Sequence, residues 1–590
     1  MIEFASHRMA VTMRALAFAA ATIVIAAPLH SQTYPSSDDP RSNLGSGLHT
    51  AGISMHGMRL VAMAPKPVEF DSVSGLTFVN SDLAFRGNYV YQGNFAGFSI
   101  WDVSDPSHPV LASVYPCITS QGDPSIVGNL LFISAEGGGN RNDCAKGGVR
   151  DPSEHMAGVR IFDVSDPRNP RLVKNVQTCK GSHTHTVIPH PSDRNIVYIY
   201  ISGGQNAREA MAGCINGTDP ADENNSLYRL DVIKVPLDNP EQAEVVTGAR
   251  IFTGLSAPAS RGGRQSRGNT GPRNCHDVTA YPAIGLLAGA CGSYGLLVDI
   301  SDPEKPMRLD AVADTNFSLW HTAVFSNDGS KVVFTDEWGG GTNPMCQASS
   351  MMEMGGNTVL TIGADRKMKQ HAYFKIPTAQ SSRENCVSHN GSLIPVPGRE
   401  ISVQGWYQGG VNVFDFTDPD HPFEIAWFDR GPIDPPATGA DSTRGRATIG
   451  GSWGAYWYNG LIYSSEMARG LDILELLPNE HISANEIAAA KLVMMEEFNP
   501  QSQPRVTWPA AFPVVRSYLD QLVRGNGLAA ARTTAIAQAL DAAEAQGGAA
   551  RAAALERLAS QVDGDVAGAR DQARVRAMAQ AIRDLAAASR

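Results

Sequence analysis

The sequence predicts a mainly β protein: a seven-bladed propeller of four-stranded antiparallel blades, followed by a small C-terminal α-helical bundle. Three observations predict it. The turn in Ser99 to Pro109 (SIWDVSDPSHP) returns as RIFDVSDPRNP at 160–170, LLVDISDPEKP at 296–306 and VNVFDFTDPDHP at 411–422, with looser copies at 230–240 and 470–474. Its aspartates, Asp102, Asp163, Asp231, Asp299, Asp415 and Asp472, are spaced by 57 to 68 residues, with one double interval that a weaker unit at 359–362 fills. Such a fixed period marks a propeller, solenoid or array. Each copy also follows an alternating apolar run, as in Phe98, Ile100 and Val103, and precedes another short strand. Ser-Asp-Pro with a second proline forces the turn between them, because proline fixes φ and cannot donate to a ladder. Finally, the composition turns Ala-rich and helix-periodic beyond the last copy.

Taken in order, residues 1–31 read as a secretory signal: Arg8 and Arg14 precede the apolar run Ala15 to Ala27, which is short for a membrane span. Residues 32–55, rich in Ser, Gly, Asp and Pro, are expected to form a flexible leader. The propeller is expected over 56–476. A lone strand in the run MRLVAMAP is a candidate for the outer strand that the seventh unit lacks after Leu474. Residues 477–510 read as a linker. Helical spacing then places Val514, Val515, Leu519 and Leu522, Ile536 and Leu540, Leu555, Leu558 and Val562, and Val575, Met578, Ile582 and Leu585 in the core of a bundle over 511–590.

The net charge of -11, with no strongly basic half, excludes non-specific nucleic-acid binding. No segment after residue 31 is apolar enough to span a bilayer, so a secreted or periplasmic protein is expected. All eight cysteines follow the signal, which suits an oxidising compartment. Placed on the repeat, they pair as Cys117–Cys144, Cys179–Cys214, Cys275–Cys291 and Cys346–Cys386, although sequence alone permits other connectivities.

The D-V-S-D-P-x-x-P turns after I/V-rich strands resemble those of the LVIVD-repeat family of exported bacterial and archaeal proteins. The resemblance spans about 75–476 and implies a β-propeller. It transfers no catalytic residue, so chemistry must be read from the registers themselves.

When the innermost strands are overlaid, His183, His276 and His389 each stand six residues before a proline, and His321 six before Asn327. Gln121 occupies the same register in the second unit. Residues at one height on innermost strands surround the axis, so four imidazoles, with Gln121, make a candidate site for a divalent or transition metal, Cu, Fe or Mn. His185, two residues beyond His183, is an alternative to it. Second strands end in FISAE, FTDE and IYSSE, which sets Glu136, Glu337 and Glu466 at the same end as candidate catalytic carboxylates. The competing reading of each is a turn residue accepting backbone amides. Long insertions at 137–157, 203–225 and 339–357 belong to that end too. Arg261, Arg264, Arg267 and Arg273 precede the His276 strand and are candidates to bind an anionic substrate.

The chain has no G-x-S-x-G elbow, Walker loop, dinucleotide fingerprint, H-E-x-x-H or C-x-x-C-H, which argues against serine hydrolases, nucleotide-dependent enzymes and c-type cytochromes. The expectation is a metal-dependent oxidoreductase acting on a small molecule, an architecture that looks like the methanethiol oxidase and selenium-binding propellers. The alternatives are a metal-assisted polysaccharide lyase taking an acidic glycan, or a non-catalytic cell-surface or periplasmic binding propeller with a protein partner on its C-terminal helices.

Overall fold

A computed structural model describes residues 36–590 except 72–77, 138, 146, 148, 150, 205, 209, 259–271 and 434–447. Four sheets are four-stranded antiparallel meanders, with innermost strands Pro124–Val127, Thr184–Pro189, Val278–Tyr281 and Trp320–Phe325. A fifth begins at Asn80–Arg86, and Glu497–Phe498 is added to its inner edge. The remaining nine-stranded sheet consists of two meanders joined by a parallel pairing of their innermost strands, Asn390–Ile394 and Ser452–Tyr458. Each innermost strand touches the next, and Ser452–Tyr458 touches Asn80–Arg86, so the ring closes.

The repeated turn has a specific cause. Asp102 accepts the Ser104 amide at 3.0 Å, and Asp105 accepts the Ser107 amide at 3.0 Å. The same pair of Asx turns recurs from Asp163 to Ser165 and Asp166 to Arg168, from Asp299 to Ser301 and Asp302 to Glu304, and from Asp415 to Thr417 and Asp418 to Asp420. Two carboxylates in succession thus accept turn amides that have no ladder carbonyl to bond. The strands they join share a bulge, at Ile100/Trp101, Leu172/Lys174, Leu297/Val298 and Val413/Phe414, which adds twist to each outer strand.

The N-terminal segment closes the ring. Met58–Pro65 pairs antiparallel with Gly470–Leu476 and supplies the outer strand that this meander lacks. Ile53–His56 extends the neighbouring meander by pairing with Phe423–Arg430. Within the leader, Arg41 is buried, forms a two-pronged ion pair with Glu424 at 2.7 and 2.9 Å, and lies 4.2 Å from the Trp427 ring centroid. Residues 36–55 therefore differ from the flexible leader expected of them: a buried charge-assisted fork and a stacked guanidinium fix the segment. The signal reading over 1–31 lies outside the described residues.

Residues 477–510 are likewise more than a spacer. They carry the helix Ala484–Lys491 and then run across the ends of the innermost strands opposite the histidines. Asn499 donates to the Ile126 carbonyl at 2.8 Å and accepts the Ile126 amide at 2.7 Å, and Gln503 does the same for Phe325 at 2.9 and 3.0 Å. Between them, the Gln501 carbonyl and Gln503 amide bond the Ala280 amide and carbonyl, each at 2.8 Å. Side-chain amides here take the place of a partner strand for otherwise unpaired inner edges. Gln503→Ala is expected to lower unfolding free energy by about 2 kcal/mol, because it orphans both Phe325 backbone groups. A urea midpoint unchanged from wild type would remove that role.

The helices Phe512–Arg524, Ala530–Glu544, Gly548–Asp565 and Gln572–Ala588 enclose a core of Val515, Leu522, Leu540, Leu555, Val575 and Ile582. Their bundle meets the propeller-side loop at Pro397 and Gly398, where Gln521 donates to the Pro397 carbonyl at 2.9 Å. Among the described residues no helix is long and apolar enough to cross a membrane.

Candidate metal centre

Each of the four histidines stands at the start of an innermost strand. The amides of His183, His276 and His389 bond the carbonyls of Ser202, Ala290 and Gly405, which fixes the rings at one level. The rings form a row: centroids are 4.4 Å apart from His183 to His276, 4.1 Å from His276 to His321, and 4.1 Å from His321 to His389. His183 Nε2 and His276 Nε2 are 2.9 Å apart. Two nitrogens each about 2.1 Å from one ion at a right angle stand about 3 Å apart, so this spacing fits adjacent ligands of a single metal.

Glu337 faces the row. Its carboxylate is 3.7 Å from His276 Nε2, 3.8 Å from His321 Nε2 and 3.8 Å from His389 Nε2, and it accepts the Tyr407 hydroxyl at 2.5 Å. The ligand atoms of His321, Glu337 and His389 lie within 4.8 Å of one another, as do those of His276, Asp277 and His321. His389 Nδ1 donates to the Trp453 carbonyl, and His276 Nδ1 is 3.0 Å from Asp277 Oδ1. Partners of this kind on the far ring nitrogen fix the tautomer and aim the other nitrogen at a metal.

The row has a closed end and an open end. His321 and His389 side chains are 1% exposed, whereas His183 and His276 are 22% and 18% exposed. Both ring nitrogens of His321, and Nε2 of His389, are buried with no hydrogen-bond partner among the described residues. Burial and the neighbouring imidazoles hold His321 well below the usual histidine range. Burial pushes His389 down to about 3, against the pull of the Trp453 carbonyl. At the open end burial also opposes charge on His183, but Glu136 Oε1 lies 2.5 Å from its Nδ1 and raises the ring to about 9. Burial raises the Glu337 carboxyl, offset in part by His276 and the Tyr407 hydroxyl.

The structure thus brings together His183, His276, His321, His389, Glu136 and Glu337. Gln121 has a buried, unpartnered Oε1. Glu466 is engaged elsewhere: it accepts the amides of Gly451 at 3.0 Å and Ala468 at 2.9 Å and pairs with Arg469 at 2.7 Å, the turn-holding arrangement. His185 bonds Ser134 Oγ at 2.8 Å rather than joining the row. Arg261, Arg264 and Arg267 lie outside the described residues, and the Arg273 guanidinium sits over the Tyr228 ring at 5.7 Å. Sequence reasoning missed Tyr407 and Asp277. Asp277 is signalled only by its adjacency to His276, and Tyr407 by nothing local, since its left-handed φ of 53° emerges from the fold.

All four expected disulfides are present, and no cysteine is free. Three of them tie Cys144, Cys214 and Cys346, in the long loops beyond the second strands, back to the scaffold on the histidine side. They fit an oxidising compartment.

A closed ring of antiparallel meanders with an imidazole row at its centre defines a β-propeller with a candidate axial metal site. The chain carries the LVIVD repeat, whose family model matches residues 80–116 and 156–178. No curated protein matches it. Solved structures similar to it include Kuenenia stuttgartiensis hydrazine synthase, 12% identical over 64% of this chain and 89% of that one, with a TM-score of 0.37. The Dos1 propeller is 12% identical over 67% of this chain and 77% of its own, with a TM-score of 0.36. Saccharomyces cerevisiae Sqt1 is 9% identical over 68% and 100%, with a TM-score of 0.35.

Proposed function

We propose that this is an exported seven-bladed propeller, the nine-stranded sheet counting as two blades, that holds one Cu, Fe or Mn ion on its axis and oxidises a small substrate. The observation that carries the reading is the row of four imidazoles whose buried members, His321 and His389, keep ring nitrogens with no partner among the described residues. An unpaired buried polar group is costly, and a metal is the ligand for which convergent neutral imidazoles are suited. His183, His276, His321 and His389 are the ligands in this reading, and Gln121 is a further oxygen donor. A redox-active ion supplies one-electron chemistry that no side chain of the site offers.

The chain's own groups have separate tasks. Glu337, held by Tyr407, faces the Nε2 atoms of three rings and would balance the charge of the ion. Glu136 takes or returns a proton through His183 Nδ1 at the open end, where a substrate enters. Glu466 holds its turn and stays outside the reacting set. A metal-assisted lyase is the second reading, favoured by the same Glu136–His183 pair at the open end, where the ring raised to about 9 is suited to give up a proton as a general acid.

Elemental analysis of the purified protein tests the proposal. About one equivalent of Cu, Fe or Mn is expected, falling at least tenfold in a variant carrying alanine at all four histidines, and likewise in His276→Ala alone. Metal-free wild-type and variant proteins with the same circular dichroism spectrum would defeat it and leave a propeller that binds a partner without a metal.

A further inference from the structure

Away from the imidazole row, on the outer half of one meander, a hydroxyl, an imidazole and a carboxylate are joined in sequence. Thr361 Oγ1 lies 2.9 Å from His371 Nε2, and His371 Nδ1 lies 2.8 Å from Asp420 Oδ1. Thr361 is on Asn357–Ile362 and His371 on Met368–Phe374, the third and outermost strands of the meander whose innermost strand carries His321. Asp420 belongs to the Asx turn of the next meander. An ionised carboxylate can only accept, so Asp420 takes the Nδ1 proton of the neutral ring, which leaves the Nε2 lone pair to accept the Thr361 hydroxyl. The result is a nucleophile, a base and a group that orients the base, each within hydrogen-bond reach of the next.

The strand pattern sets these groups on one face. Leu360 and Met368 pack into a core shared with Tyr281 and Phe325 of the preceding meander. Thr361, Lys369 and His371 therefore face the next meander, as Val359 does in packing with Phe414 and Phe416. In register, Thr361 is paired with Lys331 on one neighbouring strand and with Lys369 on the other. Directly paired residues share a face, so a lysine stands on either side of the hydroxyl. The His371 side chain is 14% exposed and that of Asp420 61% exposed, while Thr361 is half-buried and Lys369 exposed, so the group is open to solvent. An imidazole that only tied two meanders together would need Asp420 alone. The hydroxyl on its second nitrogen, with cations on both sides of that hydroxyl, is what acyl transfer requires.

We propose that Thr361, His371 and Asp420 form a nucleophilic site that hydrolyses carboxylic esters, with preference for an acyl group carrying a carboxylate. Thr361 Oγ1 bonds to the ester carbonyl carbon as its proton passes to His371 Nε2; the bond to the alcohol oxygen breaks, and that oxygen leaves with the proton. Water then adds to the acyl carbon and gives a proton to the same nitrogen, which returns it to Thr361 Oγ1 as the acid departs. Lys331 and Lys369 supply positive charge for the tetrahedral oxyanion and for the acyl carboxylate. The site needs no metal on the histidine row.

The test uses the full chain in EDTA, with an alkyl fluorophosphonate and two p-nitrophenyl esters, the neutral acetate and the anionic hemisuccinate. Peptide mass mapping should place the phosphonyl group on Thr361, equally in wild type and in His276→Ala. Labelling should slow about a hundredfold in His371→Gln and about tenfold in Asp420→Asn, a surface change that leaves the fold intact. Thr361→Val, nearly isosteric, should lose both the label and the ester cleavage. Hemisuccinate should be cleaved about fivefold faster than acetate, a preference that Lys369→Met abolishes. An adduct elsewhere, labelling unaltered in Asp420→Asn, or ester cleavage unchanged in Thr361→Val overturns the proposal, and equal rates on the two esters overturn the substrate class. Labelling lost in His276→Ala also overturns it, since that assigns the reactivity to the histidine row.

Discussion

Stripped of metal, the protein is expected to lose about 1.4 kcal/mol of stability per pH unit below pH 6.5 through each of two buried histidines. Burial holds His185 and His389 at about 3, and each ring is neutral in the folded chain. In the unfolded chain both take up a proton near the ordinary histidine value. Through these two rings the unfolded state binds more protons in this range, so their contribution to stability rises with pH there. His321, held low by burial and its neighbours, acts in the same direction. His183 acts oppositely: with its ring raised to about 9 beside Glu136, its contribution is complete below pH 6.5 and disappears as pH climbs to about 9. Buried carboxyls that burial pushes up, Asp336 and Glu400 to about 7, also oppose the histidine limb. Metal must displace the His183 proton, so affinity should increase up to about pH 9. The difference in urea unfolding between chelated wild type and His389→Gln, from about pH 4 to 8, isolates one ring's share of the acid limb from the carboxyls. A difference that does not change with pH would mean that the buried ring reaches water or titrates normally.

That acid limb arises from residues of which only part were visible in the sequence. The blades were legible because one turn chemistry recurs: Asp-x-Ser-Asp-Pro builds two Asx turns wherever it occurs, independent of the rest of the fold. The histidine row was legible because the same residue type recurs at one strand position. Glu466 shares its register with Glu337 but is saturated by Arg469 and two amides, and nothing in the IYSSE strand end announces that competition. The leader and the 477–510 segment were read by composition, which reports the absence of periodic burial. Their order comes from single contacts: Arg41 on Glu424, and the amides of Asn499 and Gln503 on strand edges. Such contacts have no period.

The most consequential of these single contacts is Glu486, and Glu486→Ala is expected to lower unfolding free energy by about 3 to 5 kcal/mol. Ser483 and Glu486 form a capping box that starts the helix Ala484–Lys491. The same carboxylate, wholly buried, accepts Arg399 Nη1 at 3.0 Å from the propeller and Arg524 at 2.7 and 2.8 Å from the first helix of the bundle. Burial raises its carboxyl, but the two guanidiniums more than offset this and hold it below the ordinary value. Removing it strands Arg399, 4% exposed, with one carboxylate partner in place of two, and releases Arg524 to solvent. Glu486→Gln keeps the shape but removes the charge and should fall between alanine and wild type. One carboxylate thus joins a helix start, a blade and the bundle, so its loss should also expose the segment around 499–511 to protease. Calorimetry and limited proteolysis together decide the matter. A shift below about 1 kcal/mol with unchanged cleavage would mean that the bundle is held by its apolar contacts alone.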